Sequence, residues 1–130
     1  MALKPSYNDK LHLPGLSKTE ILILALEASQ KLEWNIEEVT PEGARFEVPF
    51  NMYSHGEEIT FTIEPGSDGE VAVRSQSSSV QFVDYGKNRK NIQKLRETME
   101  EIKTSLTPKE LTQKAKDFEE ECNRPLTEEE

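Results

Sequence analysis

Asp84-Tyr85-Gly86-Lys87-Asn88 is the stretch of this chain whose residue types and spacing come closest to chemistry. It follows an alternating segment, Val71 to Gln76, and precedes a long amphipathic run that opens on Asn91-Ile92. Where a strand hands over to a helix, unpaired backbone N–H groups lie close to side chains. Two readings follow. In the structural one, Asp84 or Asn88 caps the helix and Gly86 takes a positive φ that other residues resist. In the chemical one, Lys87, Asn88, Arg89 and Lys90 join the helix N–H groups to hold a phosphate or a carboxylate. Cations at a helix start oppose its dipole. Such a local mismatch marks either a binding site or a solvated face.

The remaining reactive side chains form no constellation. His12 and His55 have no histidine or acid at metal-ligand spacing, and no metal site is expected. Ser54, His55 and Asp84 can be written as a hydrolase triad, but nothing like a nucleophile elbow surrounds them. Arg74, on the polar side of its strand, is placed to pair with Asp84 or Glu47. Glu119 to Glu121 and Glu128 to Glu130 lack the calcium-loop pattern and read as solvated. Cys122 falls on an apolar stripe and reads as a small hydrophobe. Trp34 reads as a core anchor beneath the first helix, with ligand stacking as the lesser alternative. The expectation is a chain that is not an enzyme and needs no cofactor.

Composition narrows the partners. The 130 residues carry a net charge of −9, which argues against nucleic acid as a partner because phosphate contacts need a basic face. The charge is uneven: from Lys87 to Lys103 six basic residues face three acidic ones. The single cysteine excludes an internal disulfide and a cysteine-based zinc site. No apolar run is long enough for membrane insertion or for the core of an export signal. The expectation is a soluble cytoplasmic protein.

The elements that must position these residues are legible from periodicity. Residues 1–15 read as an extended N-terminal arm. Ser17 and Glu20 form a capping box, and Ile21, Leu24, Ala25, Ala28 and Leu32 then recur at helical spacing. Alternating runs follow: Trp34 and Ile36; Ala44, Phe46 and Val48; Ile59, Phe61 and Ile63; Val71 and Val73. Val80 and Phe82 read as an extension or a short further strand. Pro49 marks an edge strand or a strand end, and Pro65 to Gly69 marks a hairpin turn. A second helix carries Ile92, Leu95, Met99, Ile102 and Leu106. Thr107-Pro108-Lys109-Glu110 starts a third, with Leu111, Ala115 and Phe118 on its stripe. The fold class is α+β: an antiparallel sheet of four to five strands with two helices on one face, in α-β4-α order, and an appended C-terminal helix. The α+β domain spans 16–106, the C-terminal helix 107–123, and an acidic tail 124–130.

Several of these residues also resemble a family of small uncharacterised bacterial domains. The resemblance rests on Trp34-Asn35-Ile36, Arg74-Ser75-Gln76-Ser77, Asp84-Tyr85-Gly86-Lys87-Asn88 and Asn91-Ile92. It covers about half the chain and leaves the third helix outside. It implies that Trp34, Arg74, Ser75, Asp84, Gly86 and Asn88 are the family's signature, for the fold alone or for a site. It also implies kinship with segments that precede rhomboid-like membrane regions, and hence an accessory role. It brings no activity.

The function expected is therefore a non-catalytic protein-interaction or accessory module. Its partner would be another protein or a second copy, met through the polar sheet face or the third helix. The alternative is a binder of a small anionic ligand or lipid headgroup near the start of the second helix. A hydrolase built on His55 and Asp84 is the third reading.

Overall fold

The structure, a computed structural model, describes residues 6–49, 56–77 and 86–123. Its elements are β1 (Ser6–His12), α1 (Lys18–Lys31), β2 (Asn35–Thr40), β3 (Gly43–Val48), β4 (Glu57–Ile63), β5 (Glu70–Ser77), α2 (Lys87–Ser105) and α3 (Pro108–Asn123). The five strands form one antiparallel sheet in the order β1-β5-β4-β3-β2. The α+β class and the C-terminal helix read from the sequence are both present.

The fifth strand is β1, in residues read from the sequence as an arm. They are extended, but they are also paired with β5, from Ser6 opposite Gln76 to His12 opposite Glu70. The strand is hard to read because its inward positions mix types: Tyr7, Asp9 and Leu11, of which only Leu11 is fully buried. Gly69 closes this end. It adopts φ +77, its carbonyl accepts the Leu13 N–H at 2.8 Å, and a Cβ there would overlap the Leu13 carbonyl oxygen. Val80 and Phe82 lie outside the described residues.

α1 starts where the capping box places it. Ser17 Oγ accepts the Glu20 N–H at 3.1 Å, and Glu20 Oε1 accepts the Ser17 N–H at 2.8 Å. Its wide apolar surface, Ile21 to Leu26 and Ala28, is buried because it meets α2 and α3 as well as the sheet. α1 lies over β2 and β3, and α2 over β5 and β1. Both cover the side that carries Phe46, Ile59, Phe61, Val71 and Val73, and one continuous core results. Trp34 is buried and tilts against Phe46, with ring centroids 6.4 Å apart. β3 is an interior strand, so Pro49 marks its end.

α3 packs on α1 through Leu111, Ala115 and the half-buried Phe118. Glu20 accepts from Thr112 Oγ1 at 2.9 Å, Glu119 accepts from Thr19 Oγ1 at 2.6 Å, and Lys114 meets Glu27 at 3.1 Å. Its apolar stripe is thus largely covered within the chain. Cys122 departs from the expected buried position and is exposed, because burial against α1 fades after Phe118.

Candidate functional site

Ser75 and Ser77 at the end of β5, and Asn88 and Asn91 at the start of α2, point inward and meet under the sheet. Helical spacing puts Asn88 and Asn91 on one face of α2, the face that continues into Ile92, Leu95 and Met99. In the sheet, Ser75 and Ser77 keep the inward phase of Val71 and Val73, and Glu57 keeps that of Ile59, Phe61 and Ile63. Glu57, Ser75, Ser77, Asn88 and Asn91 are each at most 2% exposed.

Their hydrogen bonds interlock. Ser75 Oγ donates to Asn88 Oδ1 at 2.7 Å, and Asn88 Nδ2 donates to Ser77 Oγ at 3.2 Å. Asn91 Nδ2 donates to Glu57 Oε1 at 2.9 Å and lies 3.4 Å from Ser75 Oγ. Ser75 is therefore the pivot between the two asparagines. A buried amide or carboxylate without such partners would be costly, so the cluster fixes how α2 sits on β4 and β5. Gly86, at φ +74, lets the chain turn into α2, where its carbonyl accepts the Lys90 N–H at 3.0 Å.

This geometry separates the expected anion-binding group. Asn88 faces the interior, Lys87 is half-buried, and Arg89 and Lys90 are exposed. Asp84 and His55 lie outside the described residues. Arg74 is exposed on the other side of the sheet, between Asn8 and Thr60. It does not pair with Glu47, which instead accepts from Asn35 Nδ2 at 2.9 Å. Among the described residues no three metal-ligating side chains come together. The sequence reading missed Glu57, Ser77 and Asn91 as members of the cluster. The available signal was phase: each is polar at a position where its element's alternation or helical stripe points inward.

Away from the cluster, Asp9 closes the outer edge of β1. Its Oδ1 accepts the Lys10 N–H at 2.8 Å, and its Oδ2 accepts from Arg96 Nη2 at 2.7 Å. The Arg96 hydrogen bond, followed by the Lys10 N–H, holds the Asp9 carboxyl below its ordinary range. A carboxylate depressed on folding adds stability above its unfolded pKa and loses it as pH falls through the folded one. Both side chains are more than a third exposed, so about 0.5 kcal/mol is expected. Urea unfolding from pH 6 down to pH 2 should show wild type more stable than Asp9→Asn at the upper end. The two should converge at the lower end; a pH-independent gap would contradict the assignment.

Among the described residues, nothing covers the side of the sheet that faces away from the helices. Its central side chains are short (Thr60, Thr62 and Ala72), and Asn8, Lys10, Arg74 and Gln76 surround them. Together they line an open hollow of about 520 Å³. Among the described residues Arg74 has no acidic partner, whereas Lys10 meets Glu64 at 3.2 Å.

Fold and cluster together define a small α+β domain whose sheet is locked to its last sheet-packed helix by buried amides and hydroxyls. The chain belongs to the family described as protein of unknown function (DUF1499), whose model matches residues 6–99. That span takes in β1, the whole sheet, the buried cluster and most of α2, and leaves α3 outside. No curated protein matches this chain. Among the described residues no helix is long and apolar enough to cross a membrane.

Proposed function

We propose that this domain is a non-catalytic, cytoplasmic interaction module that meets a partner protein across the bare side of its sheet. The observation that carries the reading is that bare side itself. Alternate residues of β4 and β5 present Glu58, Thr60, Thr62 and Arg74 to solvent, and the described helices cover only the opposite side. A guanidinium with no acidic partner among the described residues, above a floor of threonine and alanine, is a ready anchor for a partner's carboxylate or carbonyl groups. Ser75 and Asn88, by contrast, are engaged with each other in the interior. The C-terminal helix is a weaker docking surface, because its stripe already faces α1.

Site-specific photo-crosslinking tests the reading in cells that produce the protein. A benzoylphenylalanine at Thr62 should trap a discrete partner, and Arg74→Glu should abolish the product. The same probe at Lys116, exposed on α3, should not trap it. A product from Lys116 alone, or one indifferent to Arg74→Glu, would refute the proposal. The alternative, a small anion held by Lys87, Arg89 and Lys90, has less support because Asn88 is withdrawn into the core. Phosphate that shifts the amides of residues 87–90 at millimolar concentration would favour it.

A further inference from the structure

The two edges of the sheet are finished differently. At β1, the Asp9 carboxylate takes the Lys10 N–H, and Arg96 Nη2 reaches the Lys10 carbonyl at 3.4 Å. The N–H and C=O of Lys10, which an added strand would need, are thus already engaged. At β2 every residue is exposed, and among the described residues the strand has one neighbour, β3. Edge strands carry outward N–H and C=O groups able to pair with another chain.

β2 also carries the two large apolar side chains that stand exposed among the described residues, Ile36 at 38% and Val39 at 39%. They pair with Phe46 and Ala44, both buried, so they lie on the helix side of the sheet at the rim of the core. A strand added beside β2 would bring its own side chains against them. The charge that β2 and its flanking turns carry is of one sign, with Arg45 on β3 the cation beside it. Residues 33–42 contain Glu33, Glu37, Glu38 and Glu42 and no lysine or arginine. Glu37 approaches Arg45 at 3.7 Å, while Glu33, Glu38 and Glu42 have no ion-pair partner among the described residues. A second copy of β2 would set acid against acid, which disfavours self-pairing.

We infer that the outer edge of β2 accepts an extended segment of a partner protein in which lysine or arginine alternates with apolar residues. Main-chain hydrogen bonds would supply the pairing, Ile36 and Val39 the apolar contact, and the glutamates the charge selection. The β-bulge between Ile36 and Glu38 shortens the regular run, so the segment is short and its binding depends on salt. The inference rests on the domain being an interaction module, but its pairing uses the outer edge of β2 and not the centre of the bare side around Arg74.

The probe is a synthetic heptapeptide alternating lysine with valine, added to the isotopically labelled full chain at low salt. Its control carries glutamate in place of lysine. The lysine peptide should shift the backbone amides of residues 35–40 and slow hydrogen exchange there, and the control should do neither. Glu37→Lys with Glu38→Lys should weaken binding at least tenfold. Should that variant fail to fold, Glu42→Lys in the β2–β3 turn should still weaken it severalfold. Shifts without slowed exchange would mean charge attraction without strand pairing, and would overturn the inference. So would an absence of shifts in β2. Shifts centred on Thr60, Thr62 and Arg74 would overturn the edge site and leave the bare-side reading standing. Strand pairing at β2 without a crosslink from Thr62 would do the reverse.

Discussion

Asn88→Leu should cost on the order of 3 kcal/mol of folding stability, although the substitution keeps the branching of the side chain and adds apolar surface. Asn88 is fully buried, and its amide serves Ser75 through Oδ1 and Ser77 through Nδ2. Leucine would leave both hydroxyls short of a partner in the interior. It would also weaken the Ser75 end of the bond network that reaches Asn91 and Glu57. Urea unfolding monitored by circular dichroism measures the loss. Lys87→Ala, Arg89→Ala and Lys90→Ala should each stay within about 0.5 kcal/mol, as exposed or half-exposed positions usually do. A loss below about 1 kcal/mol for Asn88→Leu would mean that the cluster does not hold α2 to the sheet.

Phe46→Ala should be at least as damaging, at roughly 3–5 kcal/mol. Phe46 is wholly buried in an interior strand, under α1 and beside Trp34. Removing the ring opens a cavity between the sheet and α1, and the close-packed neighbours can only partly fill it. The chain has a single tryptophan, so its fluorescence reports this region directly. The variant should show red-shifted Trp34 emission at temperatures where it is still folded, together with a lower urea midpoint. An unchanged emission maximum would show that the two rings are not packed as described.

The capping box at Ser17 and Glu20, and a second at Thr107 and Glu110, were readable because each involves residues only three apart. The helix stripes and strand alternations were readable for a similar reason, since period and phase are local properties of the chain. Leu111, Ala115 and Phe118 could be assigned to an apolar stripe, but not to α1 as the surface that covers it. Arg74 could be assigned to a polar sheet face. That Glu47 is engaged by Asn35 and unavailable to it depends on the β2–β3 register.

By itself, then, the sequence determined the class of the domain: which stretches coil, which extend, and which side of each is apolar. Tertiary structure alone decided that residues 6–12 close the sheet beside β5, and that Glu57, Ser75, Ser77, Asn88 and Asn91 meet in its interior. The physical reason is range. Capping and periodicity act over a few residues. Strand order joins Ser6 to Gln76 and the buried polar network joins Glu57 to Asn91, and both arise only when the whole core packs at once.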